Sequence, residues 1–247
     1  MKFTKDKLIL IDADIVYHRA AFSCEWEFTF EDSKVHTADA DDVANLFHSL
    51  VGSILHHTKS GRFLMCWTSG TNFRHEVYAD YKKNRKTARR PVVDRELTWN
   101  LKHRYPSIEV NNLEADDLMG LLSGSDTIIA SDDKDLLTVP GLHYKPRSST
   151  LGVFDVSPEE AHNMWFEQIL KGDTTDGYKG IPGIGDKKSK KILDEGGYVW
   201  PTIVEAYNKA GMSEEDALVT ARLARILHPG EWDYTNNKPK LWSPNQK

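Results

Sequence analysis

The sequence is poor in cysteine: Cys24 and Cys66 are the only two in 247 residues. They cannot build a disulfide framework and lack metal-ligand spacing, so a reducing compartment is expected. No apolar run approaches the roughly 20 residues of a bilayer span, and no signal-peptide core opens the chain. A cytoplasmic protein without membrane contact is therefore expected. Histidine and cysteine clusters are absent, which argues against a zinc site. Internal repeats and low-complexity tracts are also missing. So is a basic surplus: the net charge is -5, which at first sight argues against a nucleic-acid partner.

What is present reverses that last impression. Between Lys82 and Arg95 the chain carries Lys82, Lys83, Arg85, Lys86, Arg89, Arg90 and Arg95 against the single acid Asp94. A second basic run is Lys187, Lys188, Lys190 and Lys191. The acids cluster elsewhere, so the total conceals local fields of both signs. Tyr81 lies within the first tract, where an aromatic among cations suits stacking on a base beside contacts to phosphates. Each tract also has a plainer reading as a solvated face.

Periodicity predicts an α/β fold. Apolar runs at residues 7–13, 62–67 and 126–130 read as buried strands, with a short strand at 107–110 and paired edge strands at 143–145 and 152–156. Helices are predicted over 15–22, 40–57, 91–105 and 114–122, while 25–36 reads as a loop or hairpin. The tract 78–90, with little apolar content, should be exposed. From Ser157 onward the chain reads as helical, with helices over 186–193, 200–210 and 213–228, and an irregular tail after Pro229. Strands alternating with helices give a mostly parallel central sheet flanked by helices, whose ligand site lies off the carboxyl ends of the strands. The expected division is an α/β core at 1–156, with a basic segment at about 78–105, and a helical region at 157–247.

Four acidic groups fall where that rule matters. Asp12 and Asp14 end the first strand, and Asp132, Asp133 and Asp135 follow the strand at 126–130. Glu114, Asp116 and Asp117 open a helix, with Glu114 and Asp117 expected on one face and Asp116 elsewhere. Asp173 and Asp176 precede a glycine-rich turn. Acids in a first helical turn also complement the helix dipole, and strand-end aspartates also cap helices. Four groups converging would need cations, because unit charges about 4 Å apart repel by roughly 4 kcal/mol at an effective dielectric of 20. An all-oxygen set suits Mg²⁺ or Mn²⁺, and two such ions together can drive phosphodiester hydrolysis.

The turn itself, Gly180-Ile-Pro-Gly183-Ile-Gly185, leads into a lysine-rich helix. Its glycines let backbone amides approach phosphate oxygens at a helix N-terminus, and Lys187 and Lys188 add charge. The pattern is that of a helix-hairpin-helix at about 173–193.

Taken together, IDAD, YKKNR, EADD, ASDDKDL and GDTTDGYKGIPGIGDKK, in this order, resemble the 5′ nuclease family of flap endonucleases and 5′–3′ exonucleases, most of all those of phages. The resemblance implies a PIN-like core and a metal-dependent 5′–3′ DNA exonuclease, with flap endonuclease activity as an extension, leaving 5′-phosphate products. It implies that Asp12, Glu114, Asp116, Asp133, Asp135, Asp173 and Asp176 hold two or more Mg²⁺ or Mn²⁺ ions, with Asp14, Asp117 and Asp132 behind them. Lys82 and Arg85 would act on the scissile phosphate, as catalytic residues. Tyr81, Lys83, Lys86, Arg89, Arg90, Gly183, Gly185, Lys187 and Lys188 would bind DNA at 5′ ends, nicks or flaps, with K⁺ at the hairpin. A monomer in the host cytoplasm is implied. Two departures stand out: Trp67-Thr68-Ser69-Gly70 lacks the family's acid after the second strand, a place Asp14 could serve, and the interval from YKKNR to EADD is short for a full helical arch. Two other readings remain open. One is a DNA-binding protein with an impaired metal site; the other is a haloacid-dehalogenase-like phosphatase with Asp12 as nucleophile.

Overall fold

A computed structural model describes residues 6–93 and 95–244. The first strand, β1 (Leu8–Asp12), alternates between two faces, with Ile9 and Ile11 entering one core and Leu10 another. Asp12 ends the strand by accepting the Ile15 amide at 3.0 Å, and so caps α1 (Ala13–Cys24). Residues after α1 form a hairpin of β2 (Trp26–Phe30) and β3 (Ser33–Thr37), turned at Glu31 and Asp32 with positive φ. Asp39 caps α2 (Ala40–Thr58), whose Val43, Phe47, Val51 and Ile54 are buried at the predicted three- and four-residue spacing.

Next come β4 (Phe63–Cys66), the one-turn α3 (Arg74–Val77), α4 (Arg95–Arg104), β5 (Ser107–Ile108) and α5 (Ala115–Leu122). The core closes with β6 (Thr127–Ala130), β7 (Gly141–Tyr144) and β8 (Val153–Val156). These strands make one six-stranded sheet in the order β5-β4-β1-β6-β7-β8. Every pairing is parallel except β7 with β8. Helices α1, α2 and α4 cover one face, and α5 with the segment after the last helix covers the other. The sheet, its parallel sense and the two covered faces are as predicted.

The helical region has its own core. Ser157 and Glu160 form a capping box that starts α6 (Pro158–Lys171). A short hairpin of β9 (Gly172–Asp173) and β10 (Tyr178–Lys179) follows, then α7 (Asp186–Gly196), α8 (Trp200–Lys209) and α9 (Glu214–Ala224). Trp165, Phe166, Ile169, Leu193, Ile203, Tyr207 and Ala221 pack at its centre.

Several boundaries differ from the sequence reading, the β9–β10 hairpin within the region read as helical among them, and three of the differences have a visible cause. The helix expected from Pro91 begins at Arg95, because Glu25 accepts the Val92 amide at 2.9 Å and Tyr17 donates to the Val93 carbonyl. The helix expected to reach His228 ends at Ala224, because tertiary partners take its last backbone groups: Arg74 donates to the Arg225 carbonyl at 2.6 Å and Asp117 accepts the Leu227 amide at 3.3 Å. The tail is not irregular throughout: β11 (Trp232–Asp233) pairs with β12 (Lys238–Pro239), and the Asp233 side chain accepts the Thr235 and Asn236 amides in the turn.

One close approach positions the site. A Cβ on Gly180 would lie 2.4 Å from the Gly172 nitrogen and from the Leu170 oxygen, so the end of α6 and the exit of β10 pack backbone on backbone. Gly180→Ala is expected to destabilise the fold by about 1–3 kcal/mol, as for other overpacked sites. Thermal melting checks this; an unchanged melting temperature would show that the two segments part without cost.

Candidate metal and DNA-binding site

Parallel strands bring their carboxyl ends to one edge, and there the acids meet. Asp12, Asp14, Glu114, Asp116, Asp132, Asp133, Asp135 and Asp176 all line an open cleft of about 1380 Å³, with Lys82 and Arg85 on its wall. Asp12 comes from the end of β1. Ser131, just past β6, donates to its Oδ2 at 2.9 Å and accepts the Asp133 amide at 3.0 Å, so the two strand ends are tied together. Asp133 in turn accepts the Asp135 amide at 2.8 Å.

The third group behaves differently from its expected helix face. Glu114 is the N-cap of α5, outside the helix, yet it still meets Asp117: Asp117 accepts the Glu114 amide at 3.3 Å, and one guanidinium, Arg74, bonds both carboxylates. Asp116 points into the cleft with Glu114, whereas Asp117 is fully buried and forms two bonds with Arg74, at 2.7 and 2.8 Å. Arg74 also reaches Glu114 at 3.2 Å and the carbonyls of Leu223 and Arg225. Sequence reasoning missed this arginine. It is a single cation in a segment without periodicity, and nothing in its spacing announces its partners.

Asp14 supplies the wall that lacks its own acid. Its Oδ2 accepts the Thr68 amide at 2.8 Å, which sets a carboxylate beside Thr68, Ser69 and Gly70 after β4. Asp132 is held at the rim by the Arg147 amide at 2.8 Å.

The YKKNR tract and the β9–β10 hairpin, predicted as separate motifs, are one contact. Lys82 has positive φ and donates its amide to the Asp176 carbonyl at 2.7 Å. Asn84 donates to the Thr174 carbonyl at 2.9 Å and Arg85 to that of Thr175 at 3.1 Å. The Lys82 ammonium bridges Glu114 and Asp176, and Arg85 pairs with Asp176. Asp173 is oriented by the hairpin itself, accepting the Thr175 amide at 2.7 Å, and is joined to Asp135 through Lys134.

Two expectations about this tract need correction. Tyr81 does not stack on a base: it is 2% exposed, packs on Tyr178, and its hydroxyl lies 3.0 Å from both Glu114 and Asp176. Nor is the tract exposed throughout, since Lys82 is largely covered while Lys83, Arg89 and Arg90 stay exposed. Lys83 pairs with Asp80 and Arg89 with Glu25, and Arg90 lines the cleft. The Lys86 side chain lies outside the described residues. Among the described residues no tall arch is formed: Leu97 and Leu101 of α4 are packed down into the core beside α2.

At the glycine-rich turn, Gly183 has φ +76, and Gly185 is the N-cap of α7 with no side chain to cap the first-turn amides. Lys188 donates to the Gly183 carbonyl at 3.0 Å, and Lys187 is exposed beside it. Phosphate oxygens fit such an N-terminus.

The charges report on what the cleft is built to hold. Burial pushes the Asp12 carboxyl up to about 7, with Asp14 and Asp133 adding repulsion against its bonds to Ile15 and Ser131. Burial, then Asp12, Asp133 and Glu114, raise Asp116 well above the carboxylate range. Burial also raises Asp14 and Asp135. Burial works against ionisation of Glu114 too, but Lys82 and Arg74 outweigh it and hold that group down to about 2. Asp173 is likewise low, with Lys134 outweighing its burial. Among the described residues no three such side chains close around a point as they stand; Lys82, Arg85 and Lys134 reach between them instead. A crowded, buried, all-oxygen donor set of this kind fits hard divalent cations, whose ligation would exchange these lysine and arginine partners.

A sign follows for stability. Asp12 binds its proton more tightly folded than unfolded, so without divalent ions stability should fall as pH rises from about 4 to about 7. Added Mg²⁺ is expected to raise the melting temperature more at pH 7.5 than at pH 5. An equal rise at both would separate metal binding from these carboxyls.

Comparisons with known proteins bear on the family and the fold. The family model "5'-3' exonuclease, N-terminal resolvase-like domain" matches residues 7–150. The chain belongs to the 5′–3′ exonuclease family. Membership sets aside the dehalogenase-like phosphatase. The exodeoxyribonuclease of Enterobacteria phage T3 is 28% identical, over 97% of this chain and 94% of that protein. The exonuclease of Escherichia phage T7 matches with the same identity and coverage. DNA polymerase I of Bacillus caldotenax is 30% identical over 79% of this chain, which spans 24% of that enzyme. In fold, the chain resembles the phage T5 D15 protein crystallised with metal ions, with a TM-score of 0.65 at 17% identity over 89% of each chain. It also resembles a T5 D15 flap endonuclease complex with DNA and metal ions, with a TM-score of 0.65 at 18% identity.

Proposed function

We propose that the chain hydrolyses DNA from 5′ ends as a Mg²⁺- or Mn²⁺-dependent 5′–3′ exonuclease, also cutting nicked or flapped duplexes, and leaves 5′-phosphate products. Family membership makes it a hydrolytic nuclease. One observation carries the finer reading. Eight of the ten acids, all but Asp117 and Asp173, line a single cleft with the two cations Lys82 and Arg85, whose tract docks on the hairpin that carries Asp173 and runs into the glycine-rich turn.

Asp12, Glu114, Asp116, Asp133 and Asp135 would hold one ion, and Asp173 and Asp176 a second, with Asp14, Asp117 and Asp132 supporting them. Divalent ions held there would supply an activated water and neutralise charge on the leaving oxygen. Lys82 and Arg85 then lie where charge develops on the phosphate. Arg90, Lys83 and Arg89 extend a basic path from the cleft mouth. Gly183 to Lys188 would hold duplex backbone, with K⁺ among the carbonyls of the turn. The protein would act as a monomer in the host cytoplasm; among the described residues no helix is long and apolar enough to cross a membrane.

A 5′-labelled nicked or flapped duplex with Mg²⁺ should release short labelled products, and no cleavage would overturn the reading. Lys82→Ala is expected to lower kcat by about 10²- to 10³-fold with little change in KM, as for loss of one donor at a developing charge. Single-turnover kinetics checks this; a loss confined to KM would make Lys82 a binding residue only.

A further inference from the structure

A second groove, of about 980 Å³, lies away from the carboxylate cleft, along β8, α6 and α7. Phe154, Asp155 and Val156, consecutive in β8, all line it. Side chains of a strand alternate between faces, so consecutive residues share a groove only where it runs along the open edge of the strand. Among the described residues β8 is the outer strand of the sheet and pairs with β7 alone. Its other edge offers backbone donors and acceptors to an added strand.

The lining is mainly of two kinds, completed by His162, Asn163 and Tyr198. Leu137, Phe154, Val156 and Met164 supply an apolar floor. Asp155, Glu159, Glu160, Glu167 and Asp194 supply carboxylates, against the single lysine Lys190. Such a field repels DNA, whose backbone carries one negative charge per about 1.7 Å of duplex. It attracts lysine and arginine. An apolar floor, an acidic rim and an open strand edge together match an extended polypeptide with basic side chains alternating with apolar ones.

We propose that this groove docks a basic, partly apolar segment of a partner protein by adding it as a strand to β8. The segment's backbone pairs with the edge of β8, its apolar side chains cover Phe154 and Val156, and its basic side chains meet Asp155, Glu159 and Asp194. Asp194 and Lys190 belong to the same helix, α7, whose first turn carries Lys187 and Lys188. A partner held here would sit beside the duplex grip without competing for it. The proposal stands independently of the nuclease reading.

The probe is a fluorescein-labelled nine-residue peptide alternating lysine with valine and leucine, titrated against the intact chain by fluorescence anisotropy. Saturable binding is expected, weakened at least tenfold in a Glu159→Gln/Asp194→Asn double variant and absent for the glutamate analogue of the peptide. Hydrogen exchange at the amides of residues 153–156 should slow in the complex. DNA affinity and DNA cleavage should be unchanged in the double variant. No saturable binding, equal binding by the variant, equal binding of the glutamate peptide, or unprotected β8 amides would each overturn the proposal. So would self-association of the chain that the double variant abolishes, which would make a second copy the occupant. Altered DNA affinity in that variant would likewise overturn it.

Discussion

Asp116→Asn is expected to reduce turnover with Mg²⁺ by at least about 10³-fold, or roughly 4 kcal/mol, the scale of charge stabilisation that a divalent centre supplies. Duplex binding should remain. Asp116 lies deep in the cleft, and its strongest carboxylate neighbours are Asp12, Asp133 and Glu114. The amide keeps the shape of the protonated acid that burial and its carboxylate neighbours favour, and it cannot ionise to bind a cation. Without divalent ions the variant should therefore melt no lower than the parent, because the neutral form is already the favoured one there. Its melting temperature should no longer rise with Mg²⁺ as the parent's does. This pairing of a dead enzyme with an undamaged fold separates loss of an ion ligand from general damage. Parent-like cleavage would remove Asp116 from the centre.

The second large effect is on the fold. Arg74→Ala should destabilise the protein by about 3–5 kcal/mol, as expected when one partner of a buried ion pair is lost. At 2–4 °C per kcal/mol for a chain of this size, the melting temperature falls by roughly 6–20 °C. Arg74 is 3% exposed, and its guanidinium joins α3 to Asp117, to Glu114 and to the carbonyls after α9. Its removal leaves Asp117, fully buried, without its strongest partner. Arg74→Lys should recover only part of the loss, since an ammonium cannot reproduce the planar fork. Chemical denaturation of the three proteins checks the order; equal stability of parent and Ala variant would mean that the network is idle.

These two residues mark what could be read from the chain and what could not. Asp116 stood out because strand ends, helix starts and acidic spacing are local patterns, and the parallel sheet needed to bring them together also follows from local periodicity. Asp12 and Ser157 were legible as helix starts for the same reason. Arg74 and Tyr81 were not. Tyr81 sits among cations in the sequence, yet the fold turns it inward onto Tyr178 and two carboxylates from distant segments. The end of α9 was hidden similarly, because Asp117 and Arg74, more than a hundred residues earlier, take its backbone groups. Asp14 lies between these cases: its place near the site was clear, but its lean toward Thr68 needed the neighbouring strand.

Under the proposed function, the backbone crossing of Gly172 and Gly180 bears on how the cutting position could change over time. The hairpin carrying Asp173 and Asp176 and the turn carrying Gly183 are both held against the end of α6 by main-chain contacts, including the Ile181 amide on the Leu170 carbonyl at 2.9 Å. Side-chain replacements on the surface leave those contacts alone. The length from the cleft to the turn proposed to hold duplex thus behaves as a ruler graduated in whole residues, which drift at the surface cannot stretch and only an insertion or deletion between Gly172 and Gly185 would reset.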